Sequence, residues 1–194
     1  MINNIYVHRV NTQEQLKSIS KSFGLEIDLR SEGNEIILHH DPFEKGVNFE
    51  IFLEKYSHNG LILNIKTEGI EQRVLGILKT FKIKNFFFLD MTTPYLIKTY
   101  QTGCKKSAVR FSEYEPYESA EKFKNKSDWV WIDSFKGDYF EPTDLIKLSK
   151  FFKICLMSPE LRGFNTEIIK ELKTRYQKLN IDAVCTKNPE LWKS

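Results

Sequence analysis

Short apolar runs recur along this chain, each followed by a longer stretch with helical spacing of its apolar residues. This alternation limits the possible folds more than any other feature, because it is the pattern of βαβ units built around a parallel sheet. Eight main runs stand out: Ile5 to His8, Leu25 to Leu29, Leu61 to Ile65, Phe86 to Leu89, Ala108 to Phe111, Trp129 to Ile132, Phe151 to Met157 and Ile181 to Cys185. A further short strand, Glu35 to Leu38, follows the turn-like Ser31-Glu32-Gly33-Asn34. The helices expected between them cover Thr12 to Ser22, Phe49 to Ser57, Ile70 to Thr80, Thr93 to Thr102, Tyr117 to Phe123, Pro142 to Lys150 and Phe164 to Leu179. Pro94 and Pro142 stand where a helix tolerates proline, in its first turn.

Eight strands, nearly all followed by a helix, fit a closed α/β barrel better than an open doubly wound sheet, since closure leaves no edge strand to protect. The expected fold is therefore a compact (β/α)8 TIM-type barrel forming one domain over residues 1–194. Such barrels usually need about 250 residues, so the loops here must be short.

Composition narrows the function classes. With 41% hydrophobic and 28% charged residues the chain can bury a core in water, and no stretch approaches the length of a membrane span. A net charge of +3, spread along the chain, argues against a nucleic-acid footprint. Met1-Ile2-Asn3-Asn4 leads directly into Ile5-Tyr6-Val7, so no targeting segment is expected there. Cys104, Cys155 and Cys185 are widely spaced and odd in number, which fits neither a disulfide framework nor a zinc site. A cytoplasmic location is the expectation, with Cys155 and Cys185 as core residues.

Polar residues collect at the C-terminal ends of the runs, where active-site groups of such barrels stand: His8, Asp28, Asn64 with Lys66, Asp90, Glu113, Asp133, Ser158 and Thr186. Glu26 and Asp28 are the most telling pair. Two residues apart in a strand, they face the same side with α-carbons about 7 Å apart. Two carboxylates held that close repel each other, so they need a cation or a basic partner, Arg30 or a lysine. Oxygen ligands alone suit Ca2+ or Mg2+ rather than zinc. His8 and the His39-His40-Asp41-Pro42 segment bring imidazoles to the same end of the strands, and imidazole can give or take a proton near neutral pH. His58, in the polar turn Ser57-His58-Asn59-Gly60, is expected to be exposed and silent.

On these residues the chain resembles the glycerophosphodiester phosphodiesterases, within the wider superfamily of phosphatidylinositol-phospholipase-C-like barrels. The family's opening His-Arg-Gly is similar to His8-Arg9-Val10, with valine in place of glycine. Its Glu-x-Asp metal pair corresponds to Glu26-Ile27-Asp28 and its His-Asp-Pro to His40-Asp41-Pro42. Its Glu-x-Lys appears as Asn64-Ile65-Lys66, and its closing strand resembles the stretch from Ile181 to Pro189.

That resemblance implies a metal-dependent phosphodiester hydrolase acting on a glycerophosphodiester or similar small molecule. His8 and His40 would be the acid/base pair, Arg9 and Lys66 the phosphate contacts, and Glu26, Asp28 and Asn64 the ligands of one Ca2+ or Mg2+. Asn64 supplies no negative charge where the family has a carboxylate, so Glu113 or Asp90 would have to substitute. A barrel that only binds a phosphate or phosphosugar ligand, without turnover, is the alternative that Asn64 and Val10 leave open. A lyase forming a cyclic phosphate is another. The expected partner is a small phosphodiester, with neither nucleic acid nor membrane insertion. The basic runs Lys105-Lys106 and Lys122 to Lys126 are expected to be solvated faces.

Overall fold

The structure, a computed structural model, describes residues 2–193. Its elements in chain order are β1 (Ile2–Val7), α1 (Gln13–Ser18), β2 (Gly24–Glu32), β3 (Glu35–Leu38), β4 (Val47–Asn48), α2 (Phe49–Leu53), β5 (Leu61–Ile65), α3 (Glu71–Thr80), β6 (Phe86–Leu89) and α4 (Thr93–Gln101). There follow β7 (Ala108–Phe111), α5 (Tyr117–Glu121), β8 (Trp129–Ile132), α6 (Pro142–Ser149), β9 (Lys153–Met157), a 3-10 turn (Pro159–Arg162), α7 (Glu167–Arg175), β10 (Ile181–Thr186) and α8 (Pro189–Trp192). The chain divides into two compact units, His8–Cys104 and β1 together with everything from Lys105 onward.

In the His8–Cys104 unit β2 is the central strand. It pairs in parallel with β5, which pairs in parallel with β6, and on its other half it pairs antiparallel with β3. β3 continues antiparallel to β4. Register sets Glu26 beside Ile62 and Asp28 beside Asn64. Leu25, Ile27 and Leu29 are fully buried, as are Leu61, Ile62 and Leu63. Strands covered on both faces read as near-continuous apolar runs, which is why Phe86-Phe87-Phe88-Leu89 carries no alternation.

The second unit is all-parallel. β1 pairs with β10, β10 with β9, β9 with β8 and β8 with β7. Cys155 and Cys185 are fully buried there, filling the core as expected.

Element ends differ from the periodicity in ways that local chemistry explains. α1 stops at Ser18 rather than Ser22, because Ser20 and Ser22 bond to each other through their hydroxyls and Phe23 N–H turns back to the Ser20 carbonyl. Its start is fixed by a capping box in which Thr12 Oγ1 accepts from Gln15 N–H while the Gln15 side chain accepts from Thr12 N–H. α7 starts at Glu167, because Gly163 adopts a left-handed φ of 84° and Asn165 Oδ1 accepts from Glu167 N–H. β9 begins at Lys153, since Phe151 and Phe152 still donate to the Leu148 carbonyl at the end of α6. β4 was not foreseen, being only two residues long. Pro94 and Pro142 lie in the first turns of α4 and α6. No helix among the described residues is long and apolar enough to cross a membrane.

Candidate active site

The group of interest lies within the His8–Cys104 unit, where the parallel-paired part of β2 runs beside the C-terminal end of β5. Glu26 and Asp28 are both fully buried on one face of β2. Two anions in that position are a large electrostatic liability, and the surrounding donors show how the chain meets it.

Glu26 Oε2 accepts the Arg9 main-chain N–H at 2.7 Å and lies 3.8 Å from His8 Nε2. Arg9 can present that N–H because its φ of 55° is left-handed. Val10 N–H then goes to the Glu26 carbonyl at 2.9 Å, and the valine is buried. The segment after β1 is thereby folded onto β2, with Val10 packed into the core. Glu26 Oε1 accepts from Asn64 Nδ2 at 3.0 Å.

Asp28 is clamped by Asn11, whose Nδ2 donates to Oδ2 at 2.8 Å while its Oδ1 accepts Asp28 N–H at 2.9 Å. Lys66 Nζ stands 3.5 Å from Asp28 Oδ1 and 3.7 Å from Asp90 Oδ2. The basic partner of the pair is thus Lys66. Arg30, the other expected candidate, does something different: Nε and Nη2 donate to the His40 carbonyl at 3.0 and 2.7 Å, and Nη1 to the Lys66 carbonyl at 3.3 Å.

The protonation of Glu26 follows from this setting. Burial first, and the Asp28 charge second, push its carboxyl up to about 7, against the pull of the Arg9 and Asn64 hydrogen bonds and the Lys66 charge. His40 sits in the connection between β3 and β4, with its Nδ1 2.7 Å from Asp41 Oδ1. That contact is the main reason the Asp41 carboxyl falls below its usual range, and Arg9 adds to it electrostatically. The structure therefore gathers Glu26, Asp28, Asn64, Lys66, His8 and Arg9 through direct contacts, and ties His40 to Lys66 through Arg30 and to Arg9 through Asp41.

Glu113 belongs to the other unit. Its Oε1 accepts from Ser134 Oγ and Lys136 N–H at 2.8 and 3.1 Å, and its Oε2 from Phe135 N–H at 3.0 Å. Burial pushes its carboxyl up, yet these hydrogen bonds outweigh it and leave the group below its usual range. Asp133, buried in the same unit, is held by the guanidiniums of Arg110 and Arg162. Asp90 is engaged by Lys66. His58 is not exposed as expected: its Nε2 lies 3.1 Å from the Ile19 carbonyl, its ring stacks on Tyr56, and burial lowers its pKa.

Asn11 and the use made of Arg30 escaped the sequence reading. Asn11 directly precedes the Thr12 cap and lies three residues beyond His8, so it too stands at a strand end, but an asparagine there reads first as turn chemistry.

A hard cation would find oxygen donors here. Asp28 Oδ1 and Asn64 Oδ1 are buried and accept no hydrogen bond, and their residues are register neighbours on β2 and β5. Glu26 adds a second carboxylate. No three His, Cys, Asp or Glu side chains group at ligating distances among the described residues, so a cation would rest on two carboxylates and one amide. That donor set fits Ca2+ or Mg2+, with Lys66 as its competitor.

Neither the protein-family models nor the curated proteins give a match to this chain. Solved structures do. A putative glycerophosphoryl diester phosphodiesterase from Agrobacterium tumefaciens superposes with a TM-score of 0.74 at 12% identity, covering 98% of this chain and 96% of that one. An Oleispira antarctica phosphodiesterase in complex with the product sn-glycerol-3-phosphate gives 0.70 at 14% identity, covering 97% and 94%. A glycerophosphoryl diester phosphodiesterase from Parabacteroides distasonis gives 0.67 at 13%, covering 98% and 84%. The likeness extends over nearly the whole chain and shows the fold: an α/β architecture rich in parallel strands, the class anticipated from the alternation.

Proposed function

We propose that the protein hydrolyses a small phosphodiester, with a glycerophosphodiester as the substrate class. The observation that carries the reading is the buried Glu26–Asp28 pair, meeting His8, Arg9 and Lys66 in a chain that folds like three phosphodiesterases. One of those relatives in fold is bound to sn-glycerol-3-phosphate.

In this reaction water attacks phosphorus, the bond from phosphorus to the ester oxygen breaks, and the products are a phosphomonoester and an alcohol. One imidazole takes the proton from water and the other gives one to the departing oxygen. His8 and His40 fill these two roles. With Nδ1 turned to Asp41, His40 is left with Nε2 for proton transfer. Lys66 and Arg9 supply positive charge for the phosphoryl oxygens. Glu26, Asp28 and Asn64 would hold one Ca2+ or Mg2+, which when bound neutralises charge on those oxygens.

A second reading has a specific observation in its favour. Asn64 points its Nδ2 at Glu26, so it behaves as a donor where a third carboxylate would have been a ligand. A barrel that retains phosphate binding without turnover follows from that orientation.

One experiment separates the two. The purified protein is assayed on glycerophosphocholine, glycerophosphoethanolamine, glycerophosphoinositol and bis-p-nitrophenyl phosphate, with Mg2+, with Ca2+ and with chelator. Turnover suppressed by chelator supports the proposal, and turnover unaffected by chelator removes the cation from it. Sn-glycerol-3-phosphate bound without turnover of any diester supports the second reading. Product analysis distinguishes the open phosphomonoester from a cyclic phosphate.

A further inference from the structure

We propose that Arg30 is a positioning residue that fixes His40 and Lys66 relative to one another, a role that rests on the phosphodiesterase reading for its catalytic meaning. His40 and Lys66 both lie just outside the strand ladders. His40 is in the connection 39–46 between β3 and β4, and Lys66 follows the last residue of β5. Their carbonyls therefore have no strand partner to hold them. Arg30, on β2, bonds both: Nε and Nη2 converge on the His40 carbonyl at 3.0 and 2.7 Å, while Nη1 reaches the Lys66 carbonyl at 3.3 Å.

Only a guanidinium can do this. Its donors lie in one plane at fixed angles, so two can share one acceptor while a third addresses another, whereas a lysine ammonium is a point charge on a flexible stem. The arrangement also explains why Arg30 is not spent on the carboxylate two residues earlier. Asn11 and Lys66 already serve Asp28.

The His40 connection needs such an anchor. Its far foot is set at Gly46, where an added Cβ would stand 2.5 Å from the Leu38 carbonyl oxygen, so the chain passes too close there for any side chain. Phe43, at left-handed φ of 65°, projects fully into solvent and contributes no packing. Near His40 itself, the hydrogen bond to Asp41 is internal to the connection and moves with it. The residue before it is bonded to β2, His39 N–H to the Asp28 carbonyl at 3.1 Å, and Arg30 is the side chain that ties His40 itself to that strand. Its loss frees the ring to wander relative to Lys66, and a displacement of that kind is costly for proton transfer, about 10²-fold for 1 Å.

The test uses the full chain with Arg30→Ala and Arg30→Lys. In Arg30→Ala, kcat on the best phosphodiester falls about 10²-fold while KM changes less than about threefold, because Lys66 keeps its own contacts to Asp28 and Asp90. Added guanidinium chloride at low millimolar concentration restores kcat in part, and equal concentrations of sodium chloride do not. Arg30→Lys stays impaired although its charge is kept. The His40 ring resonances, followed by NMR, broaden in both variants and stay sharp in the wild type, a readout that needs no turnover. A kcat within threefold of wild type in Arg30→Ala, or a drop that Arg30→Lys repairs, overturns the proposal. If the wild type turns over no diester, the functional reading fails on its own. The NMR comparison then decides the positioning role: unchanged His40 resonances in both variants overturn it.

Discussion

Asn64 donates its Nδ2–H to Glu26 Oε1 at 3.0 Å while its own Oδ1 lies buried without a hydrogen bond. An amide in this place halves the job of a carboxylate: it quiets the Glu26 charge but brings none of its own to a cation. Asn64→Glu therefore should tighten Mg2+ or Ca2+ binding by at least tenfold, equivalent to about 1.4 kcal/mol. In the metal-free protein the same change should lower thermal stability, because a third carboxylate then joins two buried ones. Isothermal titration with each cation, paired with thermal unfolding in chelator, checks both signs. Affinity unchanged by Asn64→Glu would show that the cation does not sit against β5.

Asn11 and Asp28 exchange two hydrogen bonds, at 2.8 and 2.9 Å, one of them to a charged oxygen. Asn11→Ala strands a buried carboxylate oxygen and the Asp28 N–H. The cost should be about 2–3 kcal/mol, in the range for losing a hydrogen bond to a charged group. Urea denaturation measures it as a lower midpoint at unchanged slope. Asn11→Asp should be worse still at neutral pH, since it sets a second carboxylate against Asp28. A loss under about 0.5 kcal/mol in Asn11→Ala, the range of ordinary surface substitutions, would mean the clamp is idle.

Much of this site was legible because strand periodicity is rigid. Glu26 and Asp28 had to share a face once Leu25, Ile27 and Leu29 filled the other, and the buried apolar runs delimited β5 to β8 residue for residue. What escaped was set by partners distant in sequence or by irregular backbone. Nothing in Arg30's neighbourhood announces that its guanidinium will seek the carbonyls of residues 40 and 66 rather than the carboxylate two positions back. Likewise the left-handed φ that turns the Arg9 N–H toward Glu26 falls on a residue that is not glycine, so no glycine in the sequence marks it. Helix ends were overextended at Ser18, where serine side-chain bonds decide the stop, and at Arg175, where Tyr176 leaves the helical dihedrals at φ −102° and ψ 10°. His58 was misjudged because a polar turn can still fold inward onto a neighbouring carbonyl.

Glu26 makes stability depend on pH in a direction opposite to most carboxylates. Its carboxyl ordinarily titrates at 4.5 and is pushed up to about 7 in the folded chain by burial and by Asp28. Between those values the native state holds a proton that the unfolded chain has lost, so the stabilisation is full below about 4.5 and is lost as pH rises through about 7. Metal-free wild type should accordingly unfold at lower urea at pH 8 than at pH 5.5. Glu26→Gln should flatten that difference and be the more stable of the two at pH 8. Mg2+ should do the same for wild type by pairing with the ionised form. Equal pH profiles for wild type and Glu26→Gln would contradict the buried, strained carboxylate.

His40 and Asp41 form the remaining testable unit, joined at 2.7 Å through Nδ1. Asp41 is exposed, so its contribution to folding is small. Its effect on the imidazole is direct, because a carboxylate 2.7 Å from Nδ1 orients the ring. Asp41→Asn should leave stability unchanged and lower kcat/KM by roughly tenfold, less than the about 10²- to 10⁴-fold carried by a general acid-base group itself. His40→Ala should reduce turnover by about 10²- to 10⁴-fold, the full contribution of such a group, with unfolding close to wild type because the ring is only part-buried in a connecting segment. Binding of sn-glycerol-3-phosphate should survive in both, since Lys66 and Arg9 are untouched. If His40→Ala keeps wild-type kcat, proton transfer at the leaving oxygen does not pass through this ring, and the acid/base pairing with His8 has to be abandoned.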